Sequence, residues 1–186
     1  MKYVDYIVVG GGIAGSVLSY TLMKYGASVQ MFDQPNANKS SVVASGLWNP
    51  VVLKRMKKVW KADEMMESLQ SVYPAMENWT QGTFYEPLPI RRVFHNAGEQ
   101  NQWIAHSDHP AFSPYLDERI SGVPNRILAD HGSGLMKQTG RVQVNAMLEA
   151  VKAKLKAVDS YTEATFDWDA VESHGDGVKY GSLGAH

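Results

Sequence analysis

Cysteine is absent from the 186-residue chain, which excludes disulfides, thiolate metal sites and cysteine nucleophiles. No apolar run approaches the ~20 residues needed to span a bilayer. The opening Met1-Lys2-Tyr3-Val4-Asp5 lacks the long apolar stretch and small-residue cleavage site of a secretory leader. A cytoplasmic protein without a membrane anchor is the expectation. An excess of one charge is missing too: the net charge is −1, so nothing global points to nucleic acid or anionic lipid. Internal repeats and low-complexity tracts are lacking. His106-Ser107-Asp108-His109 has a metal-site look, but Pro110 follows at once and no H-E-x-x-H occurs; it reads as a polar loop. What is present, 44% hydrophobic and 20% charged residues, belongs to a folded globular chain. The length suits one domain, or one with a second inserted into it.

Tyr6-Ile7-Val8-Val9 is a short apolar run next to glycines, the pattern of a strand buried on both faces in a parallel sheet. A helix is expected after Gly10-Gly11-Gly12, with Val17, Leu18, Leu22 and Tyr25 on its buried face and Gly26 as a left-handed cap. Ser28–Phe32 reads as a second strand ending at Asp33, and Pro35, Asn36 and Asn38 open a loop. The spacing of Val59, Met65, Met66, Leu69, Val72 and Met76 predicts a helix over about 58–76, bent or ended by Pro74. Lys54-Arg55-Met56-Lys57-Lys58 reads as its solvated start. Residues 83–142 look β-rich, with candidate strands at Phe84–Glu86, Ile90–Phe94 and Arg126–Leu128. Period-two alternation sends Arg91 and Arg92 to opposite faces. A further helix is expected from Asn145 as N-cap, with Leu148, Val151, Leu155 and Val158 on one side. Weak strands follow near 161–166 and 177–180.

The strongest chemical signal is Gly10-Gly11-Gly12-Ile13-Ala14-Gly15, which fits G-x-G-x-x-G. Gly10 permits the tight turn out of the strand, Gly12 lets a pyrophosphate approach the backbone, and Gly15 lets helix and sheet pack closely. The helix N-terminus offers unpaired N–H groups and partial positive charge to phosphates. A strand precedes the motif, a helix follows it, and Asp33 stands about 20 residues on, where a carboxylate binds a ribose hydroxyl. Asp33 would repel a 2′-phosphate, which disfavours NADP; FAD and NAD remain open on this evidence.

Ser40-Ser41-Val42-Val43-Ala44-Ser45-Gly46-Leu47-Trp48-Asn49-Pro50 follows the second strand. With the opening unit, it closely resembles the D-amino acid oxidase and glycine oxidase superfamily of flavoenzymes, specifically so over about residues 5–50. The resemblance implies FAD. It assigns Ser40 and Ser41 to the phosphate side, Ser45, Gly46 and Leu47 to the flavin side, and Phe166 to a backbone contact with adenine. The full cofactor-binding set is then Gly10, Gly12, Ile13, Ala14, Gly15, Asp33, Gln34, Ser40, Ser41, Ser45, Gly46, Leu47 and Phe166. No catalytic side chain is assigned and no metal is expected. In that family a hydride passes from substrate to flavin, giving an imine, so no side-chain base is needed.

The expected architecture is an α/β, Rossmann-like FAD-binding domain with an incomplete parallel sheet, interrupted by a partial antiparallel β substrate domain. The segments are 1–82, 83–142 and 143–186. Only Ile7–Val9 and Val29–Phe32 read as buried parallel strands. The later strand, second glycine turn and carboxylate-clamping Arg and Tyr of the resembling family have no counterpart before His186. The chain is therefore expected to be truncated, and to be poorly stable and barely catalytic if it is the whole product. The expected activity is oxidation of a small-molecule amino acid or amine. The alternatives are a non-catalytic dinucleotide-binding module that needs a partner chain, and an NAD-dependent dehydrogenase. Substrate and oligomeric state are left open.

Overall fold

The computed structural model describes residues 2–34, 40–123 and 127–185. The first elements are β1 (Lys2–Val4), β2 (Tyr6–Val9), α1 (Ile13–Lys24), β3 (Val29–Asp33), α2 (Ser40–Val43), β4 (Leu47–Trp48), β5 (Val51–Val52) and β6 (Lys57–Lys58). There follow α3 (Ala62–Thr80), β7 (Tyr85–Pro87), β8 (Ile90–Val93), α4 (Ala97–Ser107), β9 (Ser133–Met136) and β10 (Gly140–Val142). The last are α5 (Val144–Ala157), β11 (Tyr161–Glu163), β12 (Val171–His174), β13 (Gly177–Tyr180) and β14 (Leu183–Ala185). None of these helices is long and apolar enough to cross a membrane, among the described residues.

The chain forms two compact units. One comprises Met1–Ser45, Met76–Phe84 and Gln143–His186; the other comprises Gly46–Ala75 and Tyr85–Val142. Residues 46–75, expected with the first segment, thus pack in the second unit, and the chain changes unit inside α3.

The first unit holds a three-stranded sheet in the order β11-β3-β2, parallel throughout. This is a Rossmann-like α/β arrangement, as expected. Burial within it is the reverse of the sequence reading. β3 is buried at all five positions because it is the central strand. β2 buries only Val8 fully, leaving Tyr6 47% and Val9 39% exposed, because it is an edge of that sheet. Two strands also went unrecognised as parallel members. Polar β11 pairs with β3, and fully buried β14 pairs in parallel with β1, at the end of a four-stranded sheet ordered β1-β14-β13-β12. Phe32, Val4, Leu183 and Ala185 form the core there, with Phe166 and Tyr180 against it.

α1 also turns a different face inward. Ser16, Ser19 and Tyr20 are buried, whereas Leu18 and Tyr25 are exposed. Close packing at the start of the helix contributes: a Cβ added at Gly15 would lie 1.9 Å from the Gly10 carbonyl oxygen, so no side chain fits at that position. The helix ends as expected at Gly26, with φ +88°. Gly26 N–H donates to Met23 O at 3.0 Å and Ala27 N–H to Leu22 O at 3.0 Å, the paired bonds of a Schellman cap. α5 begins at Val144 with Gln143 as N-cap, two residues before the expected start, and buries Val144, Met147, Val151 and Leu155 while Val158 is exposed.

The second unit is built from antiparallel pairs: β4-β10-β7, β8-β9 and β5-β6. Its core includes Val51, Met66, Phe94, Trp103, Leu116 and Met136. The basic run 54–58 is the turn and second strand of the β5-β6 hairpin, not a helix start; α3 begins at Ala62 and runs through Pro74 to Thr80. Residues 83–142, expected to be β-rich, contain α4, capped by Asn96, whose Oδ1 accepts from Glu99 N–H at 2.9 Å. His106 and Ser107 close that helix rather than lying in a loop, with His106 edge-on to Phe112. Of the candidate strand Arg126–Leu128, Arg126 lies outside the described residues, while Ile127 and Leu128 are exposed and outside any strand. The loop at Pro35, Asn36 and Asn38 also lies outside them.

Candidate dinucleotide site

The glycine turn connects β2 to α1 beside the tip of β3. Gly10 has φ +100°, a backbone open in practice only to glycine, and its N–H donates to Phe32 O at 2.8 Å, locking the turn to β3. Gly11 N–H donates to Asp33 Oδ1 at 2.8 Å. A Cβ on Gly11 would stand 2.7 Å from Asp33 Cγ and Oδ2. Gly11, an unspecified position in the motif, is therefore the glycine that touches the carboxylate, and sequence reasoning missed it. The signal was available: three glycines stand in a row where the motif asks for two.

A Cβ on Gly12 would lie 3.0 Å from Ser41 Oγ, and Ser41 Oγ accepts from Ile13 N–H at 3.2 Å. Ser41 thus caps one amide of the α1 N-terminus from another element. As an acceptor in that bond, the hydroxyl still carries a proton of its own to donate. The N–H groups of Gly12, Ala14 and Gly15 make no hydrogen bond among the described residues, as the first turn of a helix dictates. These amides and the helix dipole make the turn a site for an anion. Ser40 is exposed at the start of α2, and Ala14 and Gln34 are exposed.

Asp33 is buried, 9% exposed. Its second oxygen, Oδ2, accepts from the Tyr161 hydroxyl at 2.9 Å. Tyr161 opens β11, and the parallel register Tyr161↔Met31, Glu163↔Asp33 sets it beside β3. Burial, and then the hydrogen bond to Asp33, push the Tyr161 phenol well above its usual range, so it remains a donor at any physiological pH. Phe166, expected to give a backbone contact to adenine, lies further along the same segment. The Phe166 side chain stacks on Tyr180 at 4.3 Å and meets Phe32 edge-on at 5.3 Å. Phe32 and Asp33 are neighbours on a strand and face opposite ways, so Tyr161, not the Phe166 ring, reaches the carboxylate.

Ser45 is exposed at the end of a segment of the first unit. In the second, Gly46 has φ +69° and its carbonyl accepts from Val142 N–H at 3.0 Å, and Leu47, 60% exposed, pairs with Arg141 in β4. Arg91 and Arg92 diverge as the alternation requires: Arg91 donates to Ser121 Oγ, Ser133 Oγ and the Gly122 carbonyl, while Arg92 pairs with Glu99 at 3.1 Å.

Comparison with known proteins agrees with this geometry. Residues 8–37 match the NAD(P)-binding Rossmann-like domain family, a stretch holding the turn, α1 and β3. Glycine oxidase from Bacillus cereus is similar in structure, with 18% identity and a TM-score of 0.63 over 94% of this chain and 50% of that one. L-amino acid deaminase from Proteus vulgaris is similar at 16% identity and TM-score 0.68, over 100% of this chain and 46% of that one. L-alpha-glycerophosphate oxidase from Mycoplasma pneumoniae, a structure with FAD bound, is similar at 14% identity and TM-score 0.56, over 100% and 53%. The chain is similar in fold to these structures and spans about half their length.

Proposed function

We propose that this chain grips FAD and belongs to an oxidoreductase that oxidises the C–N bond of an amino acid or related amine. One observation carries the cofactor reading. The Asp33 carboxylate is tied to Gly11 N–H at 2.8 Å, while three amides of the same turn, those of Gly12, Ala14 and Gly15, hydrogen-bond to nothing among the described residues. A pyrophosphate suits the amides and a ribose suits the carboxylate. FAD rather than NAD is favoured by the fold likeness to glycine oxidase and to a glycerophosphate oxidase whose structure holds FAD. The amine substrate is favoured by the same likeness to glycine oxidase and L-amino acid deaminase.

In this reading Gly12, Ala14 and Gly15 donate N–H groups to the phosphates, Ser41 adds a hydroxyl, and Asp33 accepts from the ribose. Ile13 supplies the capped amide that fixes Ser41. Ser45, Gly46 and Leu47 are assigned to the flavin side and Phe166 to the adenine, each by backbone contact. The chemistry that FAD supplies when bound is acceptance of a hydride from the carbon bearing the amine. The test is a visible spectrum of the purified chain, followed by FAD and NADH titrations and an amino-acid panel read for peroxide. Flavin absorbance with submicromolar FAD binding is expected. Colourless protein that binds NADH alone would reassign it to nicotinamide chemistry, and flavin binding without turnover would leave a dinucleotide-binding module. Gly12→Val and Asp33→Ala variants that bind FAD as tightly as the parent would overturn the site.

A further inference from the structure

We infer that Tyr161 is a positioning residue for the cofactor's adenosine ribose, acting through Asp33; the inference rests on the dinucleotide reading above. Among the described residues, Gly11 N–H donates to Asp33 Oδ1 at 2.8 Å and the Tyr161 hydroxyl donates to Asp33 Oδ2 at 2.9 Å. Two donors on two oxygens fix the plane of the carboxylate, which otherwise rotates over a broad, shallow torsional profile. Each carboxylate oxygen can accept more than one hydrogen bond, so neither of these two donors by itself fills its oxygen. A carboxylate held in one plane can address the two neighbouring hydroxyls of a ribose together.

The phenol is itself held. Lys152 and Lys156, on successive turns of α5, place their ammonium groups 5.5 and 5.4 Å from the Tyr161 ring centroid. The same ammonium groups reach the Glu163 carboxylate at 3.3 and 3.0 Å. Tyr161 and Glu163, two apart on β11, share a face, so α5 clamps both. The chain of support runs from α5 through Tyr161 to Asp33. A hydrogen bond to a carboxylate is stronger than one between neutral groups, and losing this donor releases the plane rather than removing the charge.

The experiment compares calorimetric titrations of the 186-residue chain with ADP and with 2′,3′-dideoxy-ADP, for the parent, Tyr161→Phe, Asp33→Asn and the double variant. The parent is expected to prefer ADP. Tyr161→Phe keeps the ring and removes the hydroxyl; it is expected to weaken ADP by about tenfold and leave dideoxy-ADP unchanged. In the Asp33→Asn background the same substitution is expected to change nothing, the signature of action through that carboxylate. Tyr161→Phe that binds ADP as the parent does, or that weakens both nucleotides equally, overturns the inference while the ribose reading stands. A parent that binds ADP no better than dideoxy-ADP overturns the ribose reading itself, and this inference with it.

Discussion

Gly15 puts the packing of α1 to a sharp test. Alanine there brings a Cβ to 1.9 Å from the Gly10 carbonyl oxygen, where 3.0 Å is the practical minimum. A backbone oxygen cannot swing aside as a side chain would, so turn and helix must separate by about 1.1 Å. Overpacking of this kind lies at the upper end of its range, about 3 kcal/mol. Alanine's better helix propensity returns about 1 kcal/mol at most. The net expectation is a loss of about 2 kcal/mol, or roughly 4–8 °C in Tm for a chain of this size. Gly26→Ala is the comparator: it meets no atom within 4 Å and suffers only from φ +88°, costing about 1 kcal/mol. Thermal melts followed by circular dichroism should rank the parent above Gly26→Ala and Gly26→Ala above Gly15→Ala. A Gly15→Ala protein that melts at or above the parent, as propensity alone requires, would refute the close helix–turn contact.

Gly11→Ala displaces the Asp33 carboxylate through its 2.7 Å contact and removes a charge-assisted hydrogen bond; ADP binding by calorimetry should weaken about tenfold. Leu155, fully buried on α5, should cost roughly 2–5 kcal/mol as alanine, read by urea unfolding. Tyr115 is pushed up to about 12 from an ordinary 10.0, by burial and then by its hydrogen bond to Asp63. The folded state therefore holds a proton that the unfolded state releases first. Its contribution is fully present below pH 10 and is lost as pH rises toward 12. Tyr115→Phe should flatten that alkaline loss, with phenolate absorbance reporting the titration.

The glycine turn and Asp33 were legible because they are local: a short apolar run, three glycines and a carboxylate at the next strand's end lie within residues 6–33. What depended on distant pairing was not. β3 is central and β2 an edge only because β11, a strand of Tyr, Thr and Glu, pairs beside β3. Tyr161 reaches Asp33 across 128 positions, which no periodicity reveals. The inward face of α1 was misread because Gly15, Ser16 and Ser19 are small rather than apolar, and close approach selects for size. α4 was hidden by its polar composition, although Asn96 followed three residues later by Glu99 is a helix-start signal. Pro74 suggested an end to α3, yet tertiary packing carries the helix past it, with Met76 completely buried.

The parallel pairing of Lys2 with Leu183 and Val4 with Ala185 sets the order in which this chain can mature. During synthesis β1 must wait for β14 before its neighbour exists, and closing so large a loop carries an entropic toll that only the paired sheet repays. The ribosome thus releases β1 and the glycine turn long before β14, the strand that pairs beside β1, has been made.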